Sequence, residues 1–166
     1  MAKTKRVDSG DAGKVITHPV FRTSDFDALH VRRVVASNPN TPRQVLERLA
    51  NEESALIRRH VALNNKTPVE TLRLLSQDRE MEVRLAVAEN AHTPQDILSM
   101  LSCDEDMDVR YGVAENPHMP EEILVQLSQD DNPYVRCRAL KTLQMLAPDV
   151  QTRLSLIIQE QQERLR

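Results

Sequence analysis

"VRRVVASNPNTPRQVLERLANEE", residues 31–53, is met again in variant form three more times along the chain. The pairs Thr41-Pro42, Thr67-Pro68, Thr93-Pro94 and Met119-Pro120 recur every 26 residues, as do Val31-Arg32, Ile57-Arg58, Val83-Arg84, Val109-Arg110 and Val135-Arg136. Asn38, Asn64, Asn90 and Asn116 keep the same interval. So do Val35, Val61, Val87 and Val113, each followed by Ala, and the leucine pairs Leu46/Leu49, Leu72/Leu75, Leu98/Leu101 and Leu124/Leu127. The unit reads [VI]-R-x-x-V-A-x-N-x-x-[TM]-P-x-x-x-L-x-x-L-[AS]-x-[DE] plus four variable residues. Self-similarity at such a period signals a repeat architecture.

Each unit holds two helical runs. After Thr-Pro, apolar residues at spacings of three and four, Val45, Leu46 and Leu49 in the first unit, predict a helix of about ten residues. From Val-Arg, apolar residues at steps 0, 4 and 5 predict a second short helix that ends near the Asn. Helices this short are marginal alone, so neighbouring units must stack to stabilise them. The expected fold is therefore all-α: a superhelix, or solenoid, of 26-residue helical pairs with degenerate capping ends.

The polar signature has structural readings. Thr41, Thr67 and Thr93 are expected as N-caps, with the following proline as first helical residue and Gln44, Glu70 or Asp96 completing a capping box. Met119 has no such side chain, and its helix is expected to be weaker by about 1 kcal/mol. The asparagines fall at helix ends, where an Asn side chain satisfies orphan carbonyls or amides and tolerates the left-handed conformation, and inter-unit bonds of this kind are expected of a repeat architecture. Glu52, Asp78, Asp104 and Asp130 precede Arg58, Arg84, Arg110 and Arg136 by six residues. Stacking should align them as a ladder, each Arg bridging carboxylates of its own and the next unit.

Residues 1–13 read as a basic tail, 14–30 as a degraded N-terminal cap, 31–134 as four repeats and 135–166 as a C-terminal cap. After Arg136 the pattern dissolves, and Val150, Leu154, Ile157, Ile158 and Leu165 mark an amphipathic helix expected to seal the stack. Trp is absent and only four aromatics are present, so the interior is built from Leu, Val, Ile and Ala. Cys103 and Cys137 are too few for a disulfide framework and read as small apolar fillers in a reducing compartment. No apolar run is long enough to span a membrane, and the start lacks a signal-peptide core; the expectation is a soluble, cytoplasmic protein.

The pattern V-R-x-x-V-A-x-N-P-x-T-P-x-x-x-L-x-x-L-A, carried by Val31 to Ala50 and repeated from residues 57, 83 and 109, resembles the leucine-rich repeat variant family. That resemblance implies a right-handed helical solenoid in which one helix of each unit is α and the other is short and open to 3₁₀ geometry. Members of the founding type carry an N-terminal iron–sulfur cluster on cysteines; this chain has no cysteine before Cys103, so the cluster does not transfer and no cofactor is expected. The Asp-to-Val-Arg spacing is also similar to HEAT repeats.

The sequence contains no P-loop, Rossmann glycine pattern, nucleophile elbow or HExxH, and no catalytic residue is assigned. His92 and His118 occupy equivalent positions in adjacent units but lack a third ligand in register, which makes a poor metal site. His60 reads as a packed histidine at the step held elsewhere by Val34, Ala86 and Gly112. A base-excising or nucleic-acid-binding solenoid needs aromatic surfaces and a continuous positive track, tested by whether Arg33, Arg59 and Arg138 join in one patch. A metal or redox protein is the remaining alternative.

Charge is unevenly distributed. Residues 1–66 carry 12 basic and 7 acidic side chains, 67–134 carry 4 and 15, and 135–166 carry 6 and 3. An acidic centre repels nucleic acid and suits a basic protein partner or weak head-to-tail self-association. The expected recognition surface lies on the second helices, which line the concave side of a solenoid. Their outward steps read Arg33, Arg59, Leu85, Tyr111 and, four residues on, Ser37, Leu63, Glu89, Glu115. These positions vary on a constant frame, as expected of a non-enzymatic protein-interaction scaffold, with Leu85 and Tyr111 as its hot spot.

Overall fold

The computed structural model describes residues 23–146. Its elements are α1 (Thr23–Ser37), α2 (Arg43–Leu49), α3 (Ala55–Leu63), α4 (Val69–Leu75), α5 (Met81–Glu89), α6 (Gln95–Leu101), α7 (Met107–Glu115), α8 (Glu121–Leu127) and α9 (Pro133–Leu146). Among the described residues there is no strand, and both helices of every unit are α, with no 3₁₀ segment. The helices after each proline are seven residues long rather than about ten, because the chain turns at the Ala or Ser after the second leucine.

Odd-numbered helices form the closely packed row: α3 on α1, α5 on α3, α7 on α5 and α9 on α7 are its principal contacts. Even-numbered helices pack mainly on the odd helices flanking them in sequence. The small residues Ala36, Ala62, Ala88 and Ala114, together with Ala86 and Gly112, are buried and let odd helices approach closely. Leu46, Leu72, Leu98 and Leu124, wholly buried, fill the space between the rows together with Ile57, Val83 and Val109. Burying a side chain of this size stabilises by about 1.5–3 kcal/mol, and each unit buries several.

The turns between the rows depart from the expected capping. Pro42, Pro68, Pro94 and Pro120 are themselves the N-cap residues, and none of these helices has a side-chain cap. Thr41, Thr67 and Thr93 are buried, and their hydroxyls reach backwards to carbonyls of the preceding helix. Thr41 Oγ1 donates to Val35 O at 2.6 Å, Thr67 Oγ1 to Val61 O at 2.5 Å and Thr93 Oγ1 to Val87 O at 2.6 Å. An exposed helix start can be satisfied by water, whereas a carbonyl under a turn needs a donor from the protein. Met119, 4 % exposed, takes this place with an apolar side chain that joins the core, so what its unit lacks is the hydroxyl bond to Val113 O and not a cap.

The asparagine side chains satisfy carbonyls and amides as expected, but their backbone conformation differs. None adopts a left-handed conformation; Asn64, Asn90 and Asn116 sit at φ near −70° in extended geometry. Each side chain ties its unit to the one before. Asn64 Nδ2 donates to Ala36 O and Asn38 O, Asn90 Nδ2 to Ala62 O and Asn64 O, and Asn116 Nδ2 to Ala88 O. Their Oδ1 atoms accept the main-chain N–H two residues on, from Lys66, His92 and His118.

The repeat does not dissolve after Arg136. Val135, Ala139 and Thr142 are buried in register within α9, and Thr142 Oγ1 donates to Ala114 O at 2.6 Å, standing in for the Asn. At the other end α1 runs through residues 30 and 31, so the expected boundary between cap and first repeat falls inside one helix. The tail, most of the N-terminal cap and the apolar residues from Val150 onward lie outside the described residues.

Candidate partner-binding face

The acidic and basic signature residues form an inter-unit ladder beside the odd helices. Arg58 Nε and Nη2 donate to both oxygens of Asp78, Arg84 to both of Asp104 and Arg110 to both of Asp130, at 2.6–3.0 Å. Arg32 Nη1 reaches Glu52 at 2.9 Å on a more exposed edge. The contact of each Arg within its own unit is not to the carboxylate six residues before it but to main-chain carbonyls. Arg58 Nη1 donates to Glu52 O and Glu53 O, Arg84 to Asp78 O and Arg79 O, Arg110 to Asp104 O and Glu105 O, and Arg136 to Asp130 O and Asp131 O. The guanidinium fork has five donors and uses them on a carboxylate ahead and a turn behind.

Burial by itself pushes the Asp78 and Asp104 carboxyls up, but the paired guanidinium and a main-chain N–H hold both below the usual carboxylate range. Asp130 is held down chiefly by the Arg110 hydrogen bond, against a smaller effect of burial. These groups are therefore committed to structure and are poor catalytic acids.

The exposed side of the odd row carries the variable positions. Arg33, Arg59, Leu85 and Tyr111 follow one another along α1, α3, α5 and α7; the first three are half-buried and Tyr111 is 37 % exposed. Ser37, Leu63, Glu89 and Glu115 run parallel to them. Leu85 packs on the core beneath, directly over Gly112, where a Cβ would collide with its Cδ1. Tyr111, Met107 and Tyr134 line an open depression of about 380 Å³ with Asp108, Asn132 and Val135.

His60 is half-buried, with Nδ1 3.1 Å from Ser37 Oγ. Burial, then the charges of Arg59 and Arg33, lower its pKa from the ordinary value. Arg33 lies 3.3 Å from His30 Nδ1, and neither Arg33 nor Arg59 pairs with a described carboxylate. Arg138 does not extend this basic patch: the acidic units lie between them, and its Nη2 pairs with Glu115 at 2.8 Å.

Both cysteines are exposed and free instead of filling the core. Cys137 falls one repeat after Tyr111 on the same row, a position that its place in the 26-residue count already marks as outward. Cys103 takes the turn position held by Asn51, Gln77 and Gln129, all exposed. His92 and His118 are exposed on successive turns, and among the described residues no three His, Cys, Asp or Glu side chains are grouped as metal ligands. No described helix is long and apolar enough to cross a membrane.

Comparison with known proteins agrees with this architecture. The family model for the leucine rich repeat variant matches residues 29–53, and that for the HEAT repeat matches residues 122–150. No curated protein and no solved structure matches the chain.

Proposed function

We propose that this helical-repeat chain, similar to leucine-rich repeat variant and HEAT proteins, is a non-enzymatic scaffold that binds another protein on the exposed face of its odd helices. Repeats of these two kinds typically serve as interaction scaffolds. One observation carries the reading: the residues that hold units together are constant, while the outward residues beside them change from Arg to Leu to Tyr. Stacking does not require that variation, and a partner-specific surface does. Leu85 and Tyr111 supply the apolar anchor, with Arg33, Arg59, Leu63, Glu89 and Glu115 around them. The ladder carboxylates and the buried asparagines and threonines are occupied in holding turns and units together.

The reading is tested by cross-linked affinity capture from native lysate with the wild type, Leu85→Ala and Tyr111→Ala. Capture of a defined protein by the wild type, reduced at least about tenfold by either substitution, supports it. Equal capture by all three, or substrate turnover by the purified protein with no protein captured, overturns it.

A further inference from the structure

The variable face is divided by charge as well as by shape. In the first two units the described outward side chains on α1 and α3 include Arg33, Arg59, His30 and His60 and no carboxylate. In the next two, on α5 and α7, they include Glu82, Glu89 and Asp108, with Glu115 at the far edge where Arg138 of α9 pairs with it. Those four acids share a face with Met81, Leu85, Met107 and Tyr111 and run along one flank of that apolar strip, since residues three or four apart share a helix face. The cations are not part of the ladder: Arg33 and Arg59 lack a described carboxylate, and both charges bear on His60. Like charges set side by side on adjacent helices destabilise the free protein, and an oppositely charged ligand relieves the repulsion.

We infer that this face takes one extended segment of a partner protein, acidic where it lies on α1 and α3 and apolar flanked by lysine or arginine where it lies on α5 and α7. The inference rests on the scaffold reading and adds the chemistry of the partner. Helices packed at 8–10 Å put α1 and α7 about 27 Å apart, the reach of about eight extended residues. The acidic end meets two guanidinium groups one repeat apart, which fork onto carboxylates. At the other end, lysine or arginine stems lie along Met107 and Leu85 while their heads reach the flanking carboxylates and the Tyr111 ring. A nucleic acid fits the first half only, because the second half repels its backbone.

The test uses the full chain and synthetic capped peptides of about ten residues. One has glutamates at one end, leucines in the middle and lysines at the other; a second has the same composition with the charges alternating; a third has lysine at every charged position. Fluorescence anisotropy at low salt should show the segregated peptide binding at least about tenfold more tightly than the alternating one. Arg33→Glu with Arg59→Glu turns the whole face acidic and should invert the preference, so that the all-lysine peptide binds best. Both arginines are surface residues of one row, and circular dichroism of the double variant verifies that it folds. Equal affinity for segregated and alternating peptides, or no inversion in the double variant, overturns the inference. So does a dimer in sedimentation that the double variant abolishes, since a second copy then covers the face. If lysate capture still depends on Leu85 and Tyr111 while the peptides fail, the partner chemistry is wrong and the scaffold reading stands.

Discussion

Asn90 shows how much one recurring residue holds. Its amide donates to Ala62 O and Asn64 O in the previous unit and its carbonyl accepts from His92 N–H, all with the residue 3 % exposed. Asn90→Ala removes three bonds and leaves carbonyls short of a donor, so we expect a loss of about 3 kcal/mol in urea unfolding. Asn38 is the comparison: it is exposed, and among the described residues its side chain accepts only from Asn40 N–H, so Asn38→Ala should cost about 1 kcal/mol or less. Equal costs at the two positions would show that the inter-unit bonds contribute nothing. The recurrence of Asn and Thr is plain in the sequence, but their partners are not. A Thr before Pro has one local option, capping the helix ahead, and that is what the motif predicts. The option it takes, the carbonyl six residues back, exists only once the two helices have folded against each other. The same holds for the asparagines, whose acceptors lie 26 and 28 residues away.

Helices of seven and nine residues have no independent stability, and their identity as elements depends on what they pack against. Apolar spacing located every described pair, because a stripe at three and four residues has one helical meaning. Helix ends were less legible, since the residue that stops a helix here is chosen by the turn to the other row. The continuation of the repeat into α9 was hidden because Thr142 replaces Asn and Ala139 replaces Val, substitutions that keep the contact and lose the letter. Gly112 gives a test at this scale. Glycine inside a helix costs about 1 kcal/mol against alanine, yet a Cβ here would displace Leu85 Cδ1 from the core it covers. Gly112→Ala should therefore be close to neutral in the wild type, propensity offsetting the forced shift. In a Leu85→Ala background the obstruction is gone, and the same change should stabilise by about 1 kcal/mol. Unfolding free energies of the four proteins complete the cycle, and an equal effect in both backgrounds would remove Leu85 from the account.

Across the whole molecule, linear charge counts overstate how acidic the exposed face of the odd helices is, because Asp78, Asp104 and Asp130 are neutralised within the ladder. The division of the remaining charges into a basic and an acidic half was legible only after the odd helices were set in one row. Arg138 is the instructive case, since its position suggests a basic patch and its contact with Glu115 withdraws it. The ladder makes a prediction about the entire stack. Its carboxyls titrate lower in the folded protein than the ordinary Asp value of about 3.9 that an unfolded chain shows. As pH falls through about 4 the unfolded chain takes up protons first, so stability is full above that range and drains away as pH approaches the depressed folded values. Asp104→Asn isolates one rung, because an amide still accepts the turn N–H of Asp106 while removing the charge facing Arg84. We expect the variant to be less stable by about 2–3 kcal/mol near pH 7, and the gap to narrow steadily as pH falls below about 4, where the unfolded wild-type chain takes up the Asp104 proton before the folded one does. Urea midpoints measured across that range for both proteins decide it: a gap that stays constant with pH would mean that Asp104 acts through shape and not through its ionised pair with Arg84.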